Sequence, residues 1–257
     1  MSLSFISIGL NDEKDMSLKA IEEARSCDLL YAEFYTHKIN TSIEKLEKLI
    51  GKKIQLLSRK DVEESDIILT QAMKRKVGFL VGGDAFCATT HLALKFEAMK
   101  RGIETKVIHG SSIFSAVGEV GLHMYKFGTT ITIPFLEKLR GKLPISAYER
   151  LKDNKDRGLH TLVLLDIIEE EKRYMSFKDA IEILLQLEEL MKENIFTEYS
   201  DIIVFARAGS ENSKIVFGKV KEIKDMDLGE PPFCLIIPGS LHFTEKEYLE
   251  LLKNDKR

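Results

Sequence analysis

The stretch that decides the fold is VGFLVGGD at residues 77–84, where a run of apolar residues ends in two glycines and a carboxylate. A short apolar run bounded by turn residues is typical of a strand that is buried on both faces. Glycines let the backbone take positive φ or come close to a ligand. We therefore predict a buried strand ending near Gly82. Asp84 would then either cap the next segment or accept hydrogen bonds from a ligand.

Short strands and helices alternate on both sides of this stretch. Strands are predicted at 3–10, 29–34, 53–57 and 104–108, and helices at 15–27, 42–50, 61–74, 89–101 and 112–121. Ser17 is expected to cap the first helix and Gly51 to end the second. Such alternation predicts a parallel sheet with helices on both faces, whose ligands lie outside the carboxyl ends of the strands.

The second half of the chain follows a different pattern. Two apolar segments at 202–208 and 215–220 are joined by Gly209-Ser210-Glu211-Asn212, which is typical of an antiparallel hairpin. Further strands are predicted at 129–134, 161–166 and 233–238, and helices at 148–156 and 176–194. We therefore expect two α/β domains, at residues 1–118 and 119–257.

Composition excludes several classes of protein. The 257 residues carry a net charge of -3, which does not favour a nucleic-acid partner. The cysteines, Cys27, Cys87 and Cys234, are too far apart for a zinc pair and too few for a disulfide framework. No stretch approaches the ~20 apolar residues of a membrane helix, and the N-terminus does not have the pattern of a signal peptide. These features predict a cytoplasmic protein with neither a membrane nor a nucleic-acid partner.

Three predicted strands end in residues suited to ligand binding. These ends are Gly9-Leu10, Gly83-Asp84 and Gly110-Ser111-Ser112, and the serines could equally cap the following helix. Because the carboxyl ends of parallel strands share one edge of the sheet, their convergence favours a ligand site more than any single turn does. Arg207, after a later strand, could hold a substrate carboxylate or form an ordinary salt bridge.

Several common site motifs are missing from the sequence. It contains no GxGxxG loop, P-loop, GxSxG elbow or HExxH pair. None of the six histidines stands at zinc-ligand spacing from another, so no metal site is predicted.

Motifs along the whole chain resemble the diphthine synthase family, which belongs to the tetrapyrrole-methylase-like class of S-adenosylmethionine enzymes. In the first half these are IGL at 8–10, AEFYT at 32–36, GD at 83–84 followed by ATTH at 88–91, and SI at 112–113 followed by SAVG at 115–118. In the second half they are RGLHT at 157–161, LDI at 165–167, ARAGS at 206–210 and PGSLH at 238–242. Each motif is weak alone, but their order across about 240 residues is specific.

The resemblance implies an N-terminal domain with a parallel sheet, a C-terminal domain with a mixed sheet, and a homodimer. S-adenosyl-L-methionine would lie in the cleft between the domains and leave as S-adenosyl-L-homocysteine. One departure from the family is Ala85, where proline is usual, and it is expected to leave this loop more mobile. The positions that match the family's cofactor contacts are Leu10, Asp84, Cys87, Ser112, Ile113, Leu165, Ala208 and Phe233.

The activity implied is methylation of an amino group on a modified histidine of translation elongation factor 2. That histidine carries a 3-amino-3-carboxypropyl arm, and the product is diphthine, an intermediate of diphthamide biosynthesis. No catalytic base is assigned, because Glu33, Tyr35 and His91 near the strand ends could equally serve packing. The alternatives are a related methylase acting on a corrin, porphyrin or ribosomal RNA, a cofactor-binding protein without activity, and a nucleotide-binding α/β protein unrelated to methylation.

Overall fold

The computed structural model describes residues 1–254. They form two compact units. The N-terminal unit comprises Met1–Ala116 with the short segment Glu169–Glu171, and the C-terminal unit comprises Val117–Ile168 and the chain from Lys172 onward.

The N-terminal unit is built on a five-stranded parallel sheet. Its strands are ordered β3-β2-β4-β1-β5, and each neighbouring pair is parallel, as the alternating sequence pattern predicts. The strands are β1 (Ser2–Gly9), β2 (Leu29–Glu33), β3 (Ile54–Leu56), β4 (Lys76–Gly82) and β5 (Glu104–Ile108). The deciding stretch is therefore the middle strand, buried from Val77 to Gly82.

Each face of this sheet carries its own apolar core. Phe5 and Phe79 pack on one face, while Ile6 and Leu80 pack on the other. Neighbouring residues of one strand point to opposite faces, so β1 and β4 contribute to both cores. Both strands are therefore fixed from two sides, which holds their carboxyl ends as a rigid edge.

The helices of this unit begin and end largely where the sequence predicts. They are α1 (Leu18–Ser26), α2 (Ile43–Ile50), α3 (Arg59–Glu63), α4 (Ile67–Ala72), α5 (His91–Lys100) and α6 (Ile113–Ala116). The Ser17 hydroxyl accepts from the Ala20 N–H, and Gly51 ends α2 with φ of 80°. Both predicted caps are confirmed.

Two helix predictions in this region are wrong. The single helix predicted at 61–74 is two helices, because the Ser65 hydroxyl donates to the Asp61 carbonyl and accepts from the Ile67 N–H. A serine that bonds to nearby backbone competes with helical hydrogen bonds. The helix predicted at 112–121 is only the four residues of α6, followed by a 3₁₀ turn, Val117–Val120, and Gly121 at φ of 81°.

The C-terminal unit is built on a mixed five-stranded sheet ordered β11-β10-β12-β7-β6. Only the β6–β7 pair is parallel, and the β10–β11 pair is the predicted hairpin. The strands are β6 (Ile131–Ile133), β7 (Thr161–Leu165), β10 (Asp201–Ala206), β11 (Lys214–Lys219) and β12 (Phe233–Ile237), with β8 (Ile167–Ile168) and β9 (Arg173–Tyr174) as a separate small ribbon. The predicted mixed sheet is confirmed.

Within the described residues, this unit has four α-helices. They are α7 (Ile145–Asp156), α8 (Phe177–Met191), α9 (Val220–Ile223) and α10 (Phe243–Asn254). The sequence predicts α7 and α8 but not α10. Phe243, Tyr248 and Leu251 are exposed, while the buried face combines Leu249 with the charged Glu245, so the apolar pattern is too weak to indicate a helix.

Candidate functional site

The turns that follow β1 and β4 are bonded to each other. The Gly9 N–H donates to the Gly83 carbonyl at 3.1 Å, and the Gly83 N–H donates to the Gly9 carbonyl at 2.8 Å. Both residues have positive φ, and a Cβ on Gly9 would lie 2.4 Å from Asp15 Cβ. A Cβ on Gly83 would meet no atom within 4 Å. The backbone at Gly83 therefore faces open space at the carboxyl edge of the sheet.

Asp84 lies next to that space, with only 6% of its side chain exposed. Its Oδ1 accepts from the Phe86 N–H at 3.0 Å, which is the predicted cap. Its Oδ2 accepts from the Gly110 N–H at 3.1 Å and contacts His109 Nδ1 at 2.8 Å. Burial alone would raise the pKa of Asp84, but these hydrogen bonds outweigh it and lower the pKa below its ordinary value. Asp84 is therefore an ionised carboxylate at the edge of this space, and an ionised carboxylate only accepts hydrogen bonds.

Leu10 has little free hydrogen-bonding capacity. Its N–H donates to the Ser111 hydroxyl at 3.2 Å, and its carbonyl lies 2.6 Å from His37 Nε2. Because a carbonyl only accepts, His37 Nε2 must be the donor. A ligand can therefore reach Leu10 through its side chain or the second lone pair of its carbonyl. A Cβ on Gly82 would lie 2.9 Å from His37 Cβ, so the close neighbour that requires glycine there is His37.

Two hydrogen bonds of Ala85 fix the loop after Asp84. Ala85 is fully buried, and its N–H donates to the Ser7 hydroxyl at 3.0 Å. The Thr89 hydroxyl closes the loop by donating to the Ala85 carbonyl at 2.6 Å. Proline could not make the bond to Ser7, because it has no N–H. Ala85 therefore contributes a bond to the sheet that proline cannot make, and the greater mobility expected of this loop stays a prediction.

Cys87, Ser112 and Ile113 complete the candidate residues of the N-terminal unit. The Cys87 N–H donates to the Asp84 carbonyl at 3.1 Å, and burial raises the pKa of the Cys87 thiol. Ser112 is buried, and its hydroxyl accepts from the Phe114 N–H at 3.2 Å, a local cap. Ile113 is half-buried at the first position of α6. The five predicted residues of this unit therefore all follow the carboxyl ends of β1, β4 and β5.

The remaining three candidates lie at one end of the C-terminal sheet. Cys234 pairs with Leu164, so the last residue of β7, Leu165, lies beside the first residue of β12, Phe233. Phe233 also pairs with Ala206, the last residue of β10, and Ala208 follows two residues later. Strand register thus brings together residues that are up to 68 positions apart in sequence.

Arg207 forms no salt bridge within residues 1–254, and its contact with a substrate carboxylate stays a prediction. Its guanidinium donates to the carbonyls of Asn212, Leu228 and Glu230 at 3.0, 2.8 and 2.5 Å. The side chain therefore ties the hairpin turn to the segment that precedes β12.

Glu33, Tyr35 and His91 form a buried cluster rather than an open site. His91 Nε2 lies 3.0 Å from Glu33 Oε1, and both side chains are completely buried. The Thr36 N–H donates to Glu33 Oε2 at 3.0 Å. The His91 ring also packs edge-on against Tyr35 and Phe79. These contacts favour packing over the role of a base, which needs access to substrate.

Two residues of this edge, His37 and His109, were not among the predicted site residues. His109 directly follows β5, so its position after a strand end was a usable signal. Nothing in the local sequence indicates that His37 contacts Leu10 and Gly82. Among residues 1–254, no helix is long and apolar enough to cross a membrane, and no group of three or more metal-binding side chains is assembled.

These two sheets and the glycine-rich edge of the first are features of one class of methylases. The sequence profile of the tetrapyrrole (corrin/porphyrin) methylases matches residues 2–224. The diphthine synthase of Methanocaldococcus jannaschii is 47% identical over 97% of this chain and 98% of its own length. That of Methanosarcina acetivorans is 46% identical over 96% of this chain and 94% of its own length.

Solved structures agree with this assignment. A crystal structure of diphthine synthase superposes with a TM-score of 0.89 at 33% identity, covering 99% of this chain and 96% of its own. The chain therefore belongs to the diphthine synthases within the tetrapyrrole methylase family, and it is a methyltransferase. The resemblance drawn from the sequence motifs is confirmed, and a nucleotide-binding protein unrelated to methylation is excluded.

Proposed function

We propose that this protein methylates the amino group of the 3-amino-3-carboxypropyl histidine of translation elongation factor 2, forming diphthine for diphthamide biosynthesis. The observation that carries the proposal is similarity over nearly the whole length to proteins named diphthine synthase. Similarity over nearly the whole length includes the candidate edge residues as well as the two sheets.

The methyl donor in this proposal is S-adenosyl-L-methionine, which supplies a methyl group on a sulfonium and leaves as S-adenosyl-L-homocysteine. The edge residues fit such a ligand, because Asp84 is ionised and the space beside Gly83 is open. A carboxylate can accept from an ammonium or from ribose hydroxyls. The proposed contacts are Leu10, Asp84, Cys87, Ser112 and Ile113 of the N-terminal unit and Leu165, Ala208 and Phe233 of the C-terminal unit.

The acceptor needs little activation. A free α-amino group has a pKa of about 7.7–8.0, so a useful fraction is neutral and nucleophilic near neutral pH. Orientation of the amine against the methyl group can lower the barrier by roughly 7–11 kcal/mol. The main task of the protein in this proposal is therefore positioning.

The decisive experiment offers isotope-labelled S-adenosylmethionine and purified elongation factor 2 bearing the aminocarboxypropyl histidine. Mass spectrometry of the histidine peptide should show a gain of one CH₂ per methyl group transferred, which also counts the transfers. The control is the same factor without the aminocarboxypropyl arm, which should gain nothing. No gain on the modified factor, with cofactor binding measured in the same sample, would contradict the proposed acceptor.

The proposal includes a homodimer located in the cytoplasm, as the resemblance implies. Light scattering on the purified protein should give twice the chain mass of 29.3 kDa. A mass of one chain at micromolar concentration would contradict the dimer.

A further inference from the structure

His109 is an exposed ring held by a buried carboxylate. It directly follows β5, and 74% of its side chain is exposed, whereas the Asp84 side chain is 6% exposed. Its Nδ1 lies 2.8 Å from Asp84 Oδ2, and the Gly110 N–H donates to the same oxygen at 3.1 Å. His109 and Gly110 therefore both bond to Oδ2 of Asp84, and these two contacts fix the position of the His109 ring at the sheet edge.

The contact with Asp84 also determines which ring nitrogen carries the proton. Hydrogen bonds keep the pKa of Asp84 below its ordinary value, so its carboxylate is ionised and can only accept. Nδ1 of His109 must therefore be the donor, and Nε2 of the neutral ring keeps its lone pair. No hydrogen bond to Nε2 is found within residues 1–254.

The two other histidines near this edge do not offer a free nitrogen in the same way. His37 Nε2 is already engaged with the Leu10 carbonyl. His91 is completely buried against Glu33. His109 therefore differs from both in combining a fixed ring with an accessible basic nitrogen, which is how a carboxylate orients a histidine for base catalysis.

The proposed reaction has a use for such a base. An amine must be neutral to attack, and a transfer onto a nitrogen that still bears hydrogen leaves a protonated product that must lose H⁺ before it can react again. We propose that His109 is the proton acceptor of the methyl transfer and that Asp84 holds its ring in place. This inference rests on the proposed function and adds a catalytic residue to it.

The lone pair of the amine nitrogen forms the new N–C bond, and the electrons of the broken S–C bond remain on sulfur. The N–H proton of the ammonium that results passes to His109 Nε2, directly or through one water. The imidazolium then faces the Asp84 carboxylate and releases the proton to solvent through its exposed side. A final transfer that gives a quaternary nitrogen leaves no proton to remove.

The test compares His109→Asn with the wild-type protein. The asparagine amide can still donate to Asp84, but the basic nitrogen is lost. We expect cofactor affinity by calorimetry to stay within about threefold, because Asp84 keeps a donor. We expect the rate of each transfer after the first to fall about 100-fold or more, the usual scale of base catalysis, because the methylated ammonium must lose its proton before it can react again. Imidazole added to His109→Ala should restore part of the rate, and His242→Asn, at an exposed histidine of the C-terminal unit, should behave as wild type.

A measurement without cofactor tests the same geometry. Long-range ¹H–¹⁵N NMR of the histidine rings should show one signal set with Nδ1 protonated and Nε2 bare, and this set should vanish in His109→Asn. The opposite tautomer, an undiminished rate in His109→Asn, or equal losses of rate and cofactor affinity would each overturn the inference while the proposed function stands. Absence of transfer by the wild-type protein would overturn the proposed function and this inference with it.

Discussion

At the scale of the residue, Asp84 joins the candidate site to the structure around it. Asp84→Ala should leave the N–H groups of Phe86 and Gly110 without their acceptor, a cost of about 1–3 kcal/mol for each buried donor that stays unpaired. We expect circular dichroism to show an intact fold with a lower Tm. Calorimetric titration should show cofactor affinity at least about tenfold weaker, the equivalent of one lost charge-assisted bond.

The matched control for this prediction is Asp61→Ala. Asp61 closes an exposed capping box with Ser58 at the start of α3, remote from the candidate residues in sequence. Its loss should lower stability only slightly and leave cofactor affinity unchanged. Unchanged affinity in Asp84→Ala would remove Asp84 from the site.

Ala85 supports a second prediction at this scale. Ala85→Pro removes the buried hydrogen bond to the Ser7 hydroxyl, so the free energy of unfolding should fall by about 1–3 kcal/mol. Ser7→Ala should cost less in the Ala85→Pro background than in the wild type, because the bond is already gone. Urea unfolding of the two single variants and the double variant measures this coupling. Additive losses would show that the bond contributes nothing.

At the scale of the element, the sequence predicts the helix ends that are set by neighbouring residues. Ser17 and Gly51 bound their helices because cap residues act on the backbone beside them. The break between α3 and α4 depends on the hydrogen bonds of the Ser65 hydroxyl to nearby backbone, which the spacing of apolar residues does not indicate. The neighbours of Gly82 and Leu10 were not predictable, because His37 reaches them from the end of a different strand.

Helix α10 was not predicted from the sequence, also because its contacts come from distant parts of the chain. It is anchored by the fully buried Glu245, which accepts from the N–H groups of His123 and His242 at 2.8 and 2.7 Å. The same carboxylate contacts His160 Nε2 at 3.1 Å and forms an ion pair with Lys126. Three of these partners are 85 to 122 residues away in sequence. A helix held by a distant polar network and the buried Leu249 has only a weak periodic signature.

This anchor gives a prediction for the element. Glu245→Gln should release α10, because it removes the charge opposite Lys126 and replaces one acceptor oxygen with a donor. We expect amide hydrogens of residues 243–254 to exchange faster, and the free energy of unfolding to fall by about 3–5 kcal/mol, as when one partner of a buried ion pair is lost. Glu247→Gln, at an exposed position of the same helix, is the control and should exchange as wild type does. Equal protection of α10 in both variants would contradict the role of Glu245.

At the scale of the whole molecule, each unit contains one buried carboxylate with a strongly lowered pKa. Burial alone would raise the pKa of Glu23, but the Lys106, Lys76 and Ser4 side chains bring it down to about 2. Burial would likewise raise the pKa of Glu245, but the bonds around it, that to Lys126 foremost, bring it down to about 2. Each unit has its own sheet and its own apolar core, and acid should lower the stability of both for the same reason.

The consequence is a loss of stability in acid that follows from the direction of both shifts. A carboxylate whose pKa is lower in the folded than in the unfolded chain stabilises the fold above its ordinary pKa of about 4.5, and this stabilisation disappears as pH falls towards 2. The free energy of unfolding measured in urea should therefore fall as pH drops below about 5. This decline adds to an earlier one that begins near pH 6.5, because burial lowers the pKa of His37 and His160. For each glutamate the decline should amount to about 3 kcal/mol. The double variant Glu23→Gln, Glu245→Gln should be less stable at pH 6 and decline much less on acidification. An acid decline as steep as that of the wild type would show that other carboxylates control the acid stability of this protein.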